Sequence, residues 1–580
     1  MSRTTARVDG ERPGLLGRLP WRDRLFALLL LFAAAGSLGL AQRNLGVMRD
    51  EGTYFDAARA YWGWFAKLGD PRSKAFSKAQ ISQYFHTNNE HPVLLKTAFA
   101  LSWRLFHGPD KRQALLDEIS AFRLPAWLLT GLAISLVYLL GVRIESRTAG
   151  LIAALVLWTM PRVFFHGQLA CFDTAIMSTW LLAIYAYLRG LMQLRWALAA
   201  GVCWGIALAT KHNAWIMPGF LLLHYLVVVW PDLSLRPLRL PRIPLVFVSM
   251  ALIGPLVFYL HWPWLWFDTV KHVQDYFAFH LHHAYYNMEF LGTNYGRPPL
   301  PISYPFVMTL FTVPTVTLLL ALAGGFVYLR RPAGLALARI RRQRPPREDS
   351  PFRFPARRSW LRPAKGLDPR IGLLLTLTAL IPILLIAHPN TPIFGGTKHW
   401  LPAYPFVALL AGVAASRLLA RLGLVARRRA LAAVGLALVV ALPGALNIYQ
   451  THPFGLSQYN AIAGGVAGGA DLGLNRQFWG YAPRQLLPWL NSELRGNTSV
   501  YFHDVNYASY AAYRRAGLLR NDIRYSGMEL PAIQASRAAM VVHELHFNKY
   551  DYWIWRSYGH PSPTKVLTLD GVPLVSVYQR

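Results

Sequence analysis

Two cysteines, Cys171 and Cys203, serve a chain of 580 residues. Both sit in apolar stretches, so neither a disulfide framework nor a cysteine metal site is expected. Acid is scarce too: 28 Asp and Glu stand against 60 Lys and Arg, for a formal charge of +32. No acid occurs between Asp368 and Asp471. Nucleic-acid binding is the obvious explanation for such a charge. The arginines, however, cluster between hydrophobic segments, which favours membrane topology and anionic headgroups instead. An internal repeat is also missing, and transporters often show one.

What the chain has in abundance is apolar length. It is 54% hydrophobic, with a mean hydropathy of +0.27. Several windows exceed about 18 residues with almost no charge, the signature of a polytopic α-helical membrane protein. The first run, Leu25–Ala41, follows six arginines (Arg3, Arg7, Arg12, Arg18, Arg22 and Arg24) and lacks a small-residue cleavage site. It reads as an uncleaved anchor with a cytoplasmic N-terminus. Further segments are expected near 122–142, 148–163, 174–190, 196–212, 214–230, 243–262, 302–329, 371–388, 401–420 and 430–448, about eleven in all. This count puts Arg143/Arg147, Arg189/Arg195, Arg236/Arg239/Arg242 and Arg427–Arg429 on the cytoplasmic side. The loop 330–370, with thirteen Lys or Arg, falls there as well.

Three long segments then face outward: 42–121, 263–301 and 449–580. An aromatic amphipathic stretch, Tyr54–Leu68, is expected to lie in the membrane interface. Short apolar runs in the tail (Ser499–Phe502, Ala539–His543, Lys565–Leu569 and Leu574–Tyr578) predict a small soluble α/β domain at 449–580, after a transmembrane domain at 1–448.

Chemistry-bearing residues collect on the outward side. Arg49-Asp50-Glu51 follows the first span directly. One of its carboxylates can take a proton from a hydroxyl, while the other orients the base or binds substrate. Asn88-Asn89-Glu90-His91-Pro92, with Lys96 beyond, offers a carboxylate beside an imidazole, although a helix-capping turn explains it equally well. Arg162, His166, Gln168 and Asp173 lie between two hydrophobic spans, where ionisable groups normally face a cavity or one another. Lys211-His212-Asn213 and Lys398-His399 sit at span ends and suit a lipid-linked phosphate, or simply snorkel. Histidines 272, 280, 282 and 283 lie in the second outward loop. A divalent metal stays open, with Glu90 and either His282 or His283 as its ligands.

Taken in order, these pieces resemble the GT-C superfamily of membrane glycosyltransferases. The group in view is the family 39, protein-O-mannosyltransferase-like one, which is also similar to bacterial aminoarabinose transferases. The matching pieces are Asp50-Glu51, Glu90-His91-Pro92, Arg162…His166…Asp173, Thr210-Lys211-His212-Asn213, Lys398-His399-Trp-Leu-Pro402 and His452-Pro453…Tyr459-Asn460…Gly464-Gly465. Relatives often carry a second proline after Glu-His-Pro, where Val93 stands here. The resemblance implies a GT-C fold and an inverting transfer of mannose or a similar hexose or pentose. The donor would be a polyprenyl-phosphate sugar, and the acceptor a hydroxyl on protein, lipid or glycan at the outer face of a plasma or inner membrane. It also implies Asp50 and Glu51 as catalytic, Arg162, Lys211, Lys398 and His399 as donor-phosphate ligands, and Glu90, His91, His166 and Asp173 as substrate-positioning residues. The rival reading is a flippase or transporter for lipid-linked sugars without transferase activity.

Overall fold

The computed structural model describes residues 17–108, 113–229, 234–235, 238–239, 243–340, 368–546 and 549–580. The masked stretches take in Arg3, Arg7, Arg12, Arg236, Arg242 and most of the basic 330–370 loop, so those expectations lie outside the described residues. The segment 42–108 is mostly helical: after α1 (Trp21–Ala41) come α2 (Arg49–Phe65), α3 (Lys78–Phe85) and α4 (Leu94–Phe106). The chain then returns through α5 (Glu118–Ile144), α6 (Arg147–Trp158), α7 (Pro161–Gly167), α8 (Asp173–Gly190), α9 (Leu194–Leu208), α10 (Met217–Val229) and α11 (Leu245–His261).

The starts of these helices are written in the sequence. Asp117 caps α5 by accepting from Ser120 N at 3.0 Å, and Ser146 caps α6 by accepting from Ala149 N at 3.1 Å. Two apolar runs that read as single spans are bent. The path turns by 66° between α6 and α7, where Pro161 enters, and by 118° between α13 (Tyr304–Thr312) and α14 (Thr315–Ile340), across Val313-Pro314. Proline removes a helix donor and restricts the residue before it, so both breaks fall where the sequence permits them.

Between these parts, α12 (Thr269–Leu281) and a hairpin occupy residues 263–301. The apolar set ends with α15 (Pro369–Ile386), α16 (Tyr404–Ala420) and α17 (Ala426–Thr451). Each of the eleven expected segments falls on helix. By length and composition, six helices among the described residues can cross a membrane, or eight if each bent pair is one span, and α9 and α11 are shorter apolar helices. The chain is thus a multi-pass, largely helical membrane protein. Helix α1 packs on α5, α9 lies between α8 and α11, and α16 lies between α6 and α14. Every residue from Leu401 to Ser416 is buried, which makes α16 the centre of the bundle.

The described strands form two small ribbons and one larger sheet. β1 (Ser234–Leu235) pairs β2 (Leu238–Arg239), and β3 (Met288–Phe290) pairs β4 (Thr293–Tyr295). The tail carries β5 (Ser499–Phe502), β6 (Arg524–Gly527), β7 (Ala538–Val542), β8 (Lys565–Leu569) and β9 (Val572–Gln579), in the order β6-β5-β7-β9-β8. Strands β5, β6 and β7 run parallel, while β9 runs antiparallel to β7 and β8. This is the α/β tail expected from the short apolar runs, with β6 as an additional edge strand.

Two groups of charged residues mark two ends of the bundle. At one end Arg147 donates to Asp23 at 2.8 Å, and Arg417 donates to Glu145 at 3.0 Å. Of these, Arg147 is the one that the arginine pattern assigns to the cytoplasmic side. The outward-assigned residues gather at the other end, against the tail domain.

Candidate active site

Helix α2 begins at Arg49, so Asp50 and Glu51 occupy its first turn, where unpaired backbone N–H groups favour acids. The two side chains then part. Glu51 is fully buried. Its Oε1 accepts from Arg123 Nε at 2.8 Å and Ala170 N at 2.7 Å, and its Oε2 accepts from Arg123 Nη2 at 2.6 Å and Met48 N at 3.1 Å. Asp50 instead keeps 29% of its side chain exposed and lines a cavity of about 150 Å³. Of the expected catalytic pair, only Asp50 reaches open space.

Helix termini supply the rest of that cavity. Asp173 opens α8, Lys211 precedes α10, Ile386 closes α15, and Lys398 lies on the turn into α16. Lys211 Nζ donates to Asp173 Oδ1 at 2.6 Å, a charge-assisted bond buried from water. Lys398 is placed differently. Its Nζ stands 3.9 Å from Asp50 Oδ2 and lies 4.0 Å from the Trp479 ring centroid and 4.9 Å from that of Phe394. The aromatic faces hold the ammonium beside the carboxylate without closing a tight ion pair.

A wall of rings completes this space. His212 stacks on His280 at 4.0 Å, His283 stacks on Phe394 at 4.2 Å, and His91 lies 5.5 Å from Phe172. Burial pushes His280 down to about 4 and holds His91 well below the usual imidazole range. Both are therefore neutral near pH 7. The turn presenting His91 is tied down by Lys96, whose buried Nζ donates to Asn88 O at 2.6 Å, Asn88 Oδ1 at 3.2 Å and His91 O at 3.0 Å. Burial pushes this ammonium down to about 7.

A second cavity, of about 120 Å³, adjoins the first and shares Phe394, Lys398 and Trp479 with it. Arg162 enters it from α7, held by its bond to Gln458 O at 3.0 Å and lying over the Tyr459 ring at 5.6 Å. Arg49 and Glu544 line its far side. Burial, together with neighbouring Asp504, holds the Glu544 carboxyl well above the usual carboxylate range. The four expected phosphate ligands thus divide: Lys211 and His399 face the first cavity, Arg162 the second, and Lys398 both.

The remaining candidates scatter. His166 is fully buried, 3.7 Å from Asp173 Oδ2, and lines neither cavity. Glu90 lines neither cavity either: its carboxylate accepts from Asn88 Nδ2 at 2.6 Å, and its backbone carbonyl is 3.1 Å from His280 Nε2. His282 is exposed on the end of α12, away from both cavities. Among the described residues no group of three or more His, Cys, Asp or Glu side chains is placed to hold a metal ion. Sequence reasoning missed Trp479 and Phe394, and named Arg49 only as the neighbour of the acidic pair. Phe394 lies four residues before Lys398, already singled out, whereas nothing near Trp479 in sequence points to a membrane site 80 residues away.

Residues 91–264 match the model of the dolichyl-phosphate-mannose-protein mannosyltransferase family. No curated protein matches the chain in sequence. Among solved structures, ArnT from Cupriavidus metallidurans bound to undecaprenyl phosphate is 15% identical over 95% of this chain and 97% of its own, with a TM-score of 0.45. The Archaeoglobus fulgidus oligosaccharyltransferase in its apo form is 12% identical over 93% of this chain and 72% of its own, with a TM-score of 0.47. The matched segment runs from His91 through Arg162, Asp173 and Lys211, so this part of the chain is similar to that mannosyltransferase family.

Proposed function

We propose that the protein is an inverting glycosyltransferase that moves a sugar from a polyprenyl-phosphate donor to an acceptor hydroxyl at the outer membrane face. The observation that carries this reading is the shared cavity: Asp50 and two buried lysines, Lys211 and Lys398, around one space at the ends of apolar helices. An acceptor hydroxyl must lose its proton as it attacks, and Asp50 is the carboxylate with room to receive it. The breaking bond leaves negative charge on a lipid phosphate. Cations fixed in a water-poor site stabilise that charge more strongly in the transition state than in the ground state. Lys398 can serve both partners, since it faces Asp50 and both cavities. A base on one side of the anomeric carbon and a leaving phosphate on the other make a single displacement, with inversion and no covalent sugar–enzyme intermediate.

The apolar flanks fit a lipid-borne donor. Ile386 at the end of α15 borders the cavity, while Leu380, Leu384 and Leu385 on the same helix are exposed. A polyprenyl tail can lie along such a surface while its phosphate meets Lys211 and Lys398. In this reading Glu51 organises the turn that holds Asp50 and takes no part in proton transfer. The sugar is mannose or a similar hexose or pentose, and the membrane is a plasma or inner membrane with the tail domain outside.

The test uses purified protein in detergent or proteoliposomes, with polyprenyl-phosphate sugars and hydroxyl-bearing acceptors. Wild type is expected to transfer sugar with inversion at the anomeric carbon. Asp50→Asn should keep its fold and lose roughly 10²–10⁴-fold in kcat. A folded Asp50→Asn with full activity would remove Asp50 as the base. Donor that crosses the bilayer unconsumed would instead identify a flippase.

A further inference from the structure

The tail domain grips the backbone that carries Asp50. Tyr513 Oη accepts from Val47 N at 2.8 Å, Ser509 Oγ donates to Met48 O at 2.9 Å, and Asn506 Nδ2 donates to Arg49 O at 2.9 Å. From the segment before the sheet, Trp479 O accepts from Arg49 N at 3.1 Å. Close approach is enforced on both sides: a Cβ on Gly46 would meet Tyr481 O at 2.0 Å, and one on Gly52 would meet Ser509 N at 2.6 Å. The segment 46–53 is therefore clamped, and the clamp comes from residues more than 400 positions away.

Within the clamp, one side chain bears directly on the proposed base. Arg49 pairs through Nη1 with Asp504 Oδ1, on the loop leaving β5, and Asp504 is itself nearly buried. The Arg49 Nε lies 4.0 Å from Asp50 Oδ1, outside hydrogen-bond reach. A guanidinium between two carboxylates closes on whichever one it is not held from, and a closed bidentate pair lowers the proton affinity of its carboxylate. Here the tail domain holds Arg49 on its own side.

We propose that the tail domain completes the active site, with Asp504 acting as a positioning residue that holds Arg49 away from Asp50 and so keeps Asp50 available as a base. This rests on the reading of Asp50 given above. It assigns the domain a part in the chemistry, where a detached lid or an acceptor-binding module would leave Asp50 untouched.

The experiment compares full-length wild type with Asp504→Asn, Arg49→Met and the double variant in the sugar-transfer assay. Asp504→Asn should lower kcat roughly 10–100-fold with KM for the donor kept, because the released Arg49 closes on Asp50. Adding Arg49→Met to Asp504→Asn should recover most of that loss, a second-site rescue that a purely structural role for Asp504 would not give. Asp522→Asn, at the exposed Arg520 pair of the same domain, serves as the folding control and should keep wild-type kcat. If Asp504→Asn does not fold, Arg49→Lys reads the same coupling, since a single ammonium is held less firmly than a guanidinium fork; kcat should fall at constant KM. Hydrogen exchange of residues 47–52 tests the clamp without any turnover and should quicken in Asp504→Asn. An active wild type whose folded Asp504→Asn keeps kcat, or whose double variant shows no recovery, overturns the proposal. A wild type with no transfer overturns the functional reading, and unaltered exchange in the variant then overturns the clamp as well.

Discussion

At the scale of single residues, adjacent acids have taken opposite roles. Asp50 and Glu51 are neighbours in sequence, and successive residues on a helix point about 100° apart. One therefore faces the cavity while the other faces Arg123 in the protein interior. Removing charge from one member of a fully buried pair leaves the other uncompensated, at a cost of about 3–5 kcal/mol. Glu51→Gln is accordingly expected to lower the thermal midpoint in detergent sharply, while Asp50→Asn moves it little. Equal midpoints for the two variants would contradict the division of roles. The acidic pair was legible in the sequence, with Asp50 as the candidate base, but the burial of Glu51 was not. That depended on Arg123, 72 residues further on, whose charge had no visible partner in sequence.

Among elements, the apolar runs were read in the right places and their courses were not. The run 302–329 reads as one long span, yet it turns by 118°. Asn460 secures that turn by donating to Leu310 O at 2.6 Å and Val313 O at 2.7 Å, carbonyls that the break frees from helix bonding. The stretch Tyr54–Leu68, expected on the membrane surface, is packed under protein: Tyr54, Tyr61 and Trp64 are buried. Its aromatic stripe signalled an apolar partner, and a stripe has the same pattern whether that partner is lipid or protein. Strand β6 escaped notice because Arg524-Tyr-Ser-Gly527 has no apolar alternation, as suits a sheet edge.

Helix contacts in the bundle depend on small residues. A Cβ on Gly412 of α16 would lie 2.4 Å from Ala149 O of α6, and one on Gly324 of α14 would lie 2.1 Å from Leu410 O of α16. Such positions let backbones approach closely where hydrophobic force between helices is weak. Gly412→Val should destabilise the protein in detergent by about 1–3 kcal/mol or more, whereas Gly435→Val, with nothing within 4 Å, should be tolerated. Thermal unfolding followed by tryptophan fluorescence distinguishes the two.

For the whole molecule, the first outward excursion and the tail share one apolar core. Val47, Phe55, Phe99 and Ile119 pack in the same cluster as Tyr481, Leu487, Val500 and Tyr513. A chain division near residue 448 is visible in composition, but the packing crosses it. Sidedness can be checked directly. Arg72→Cys lies on the exposed surface of the outward excursion, and Leu422→Cys lies just beyond α16 at the basic end. A membrane-impermeant maleimide added to intact cells should label the first and spare the second, with wild type as the blank because Cys171 is buried and Cys203 partly so. Labelling of Leu422→Cys alone would invert the proposed orientation.

The sequence by itself determined the membrane class, the position of the helices and the set of residues worth watching. Those follow from apolar length, arginine placement and the rarity of acid, all of which are local quantities. Tertiary structure decided which members of that set meet. Asp50, Asp173, Lys211 and Lys398 come from four separate stretches, and only helix packing brings their ends to one cavity. Trp479, Arg49 and Asp504 joined them because the tail folds back onto residues 46–53. Nothing local in the chain encodes that return; it follows from apolar surfaces on both segments that are buried only against each other.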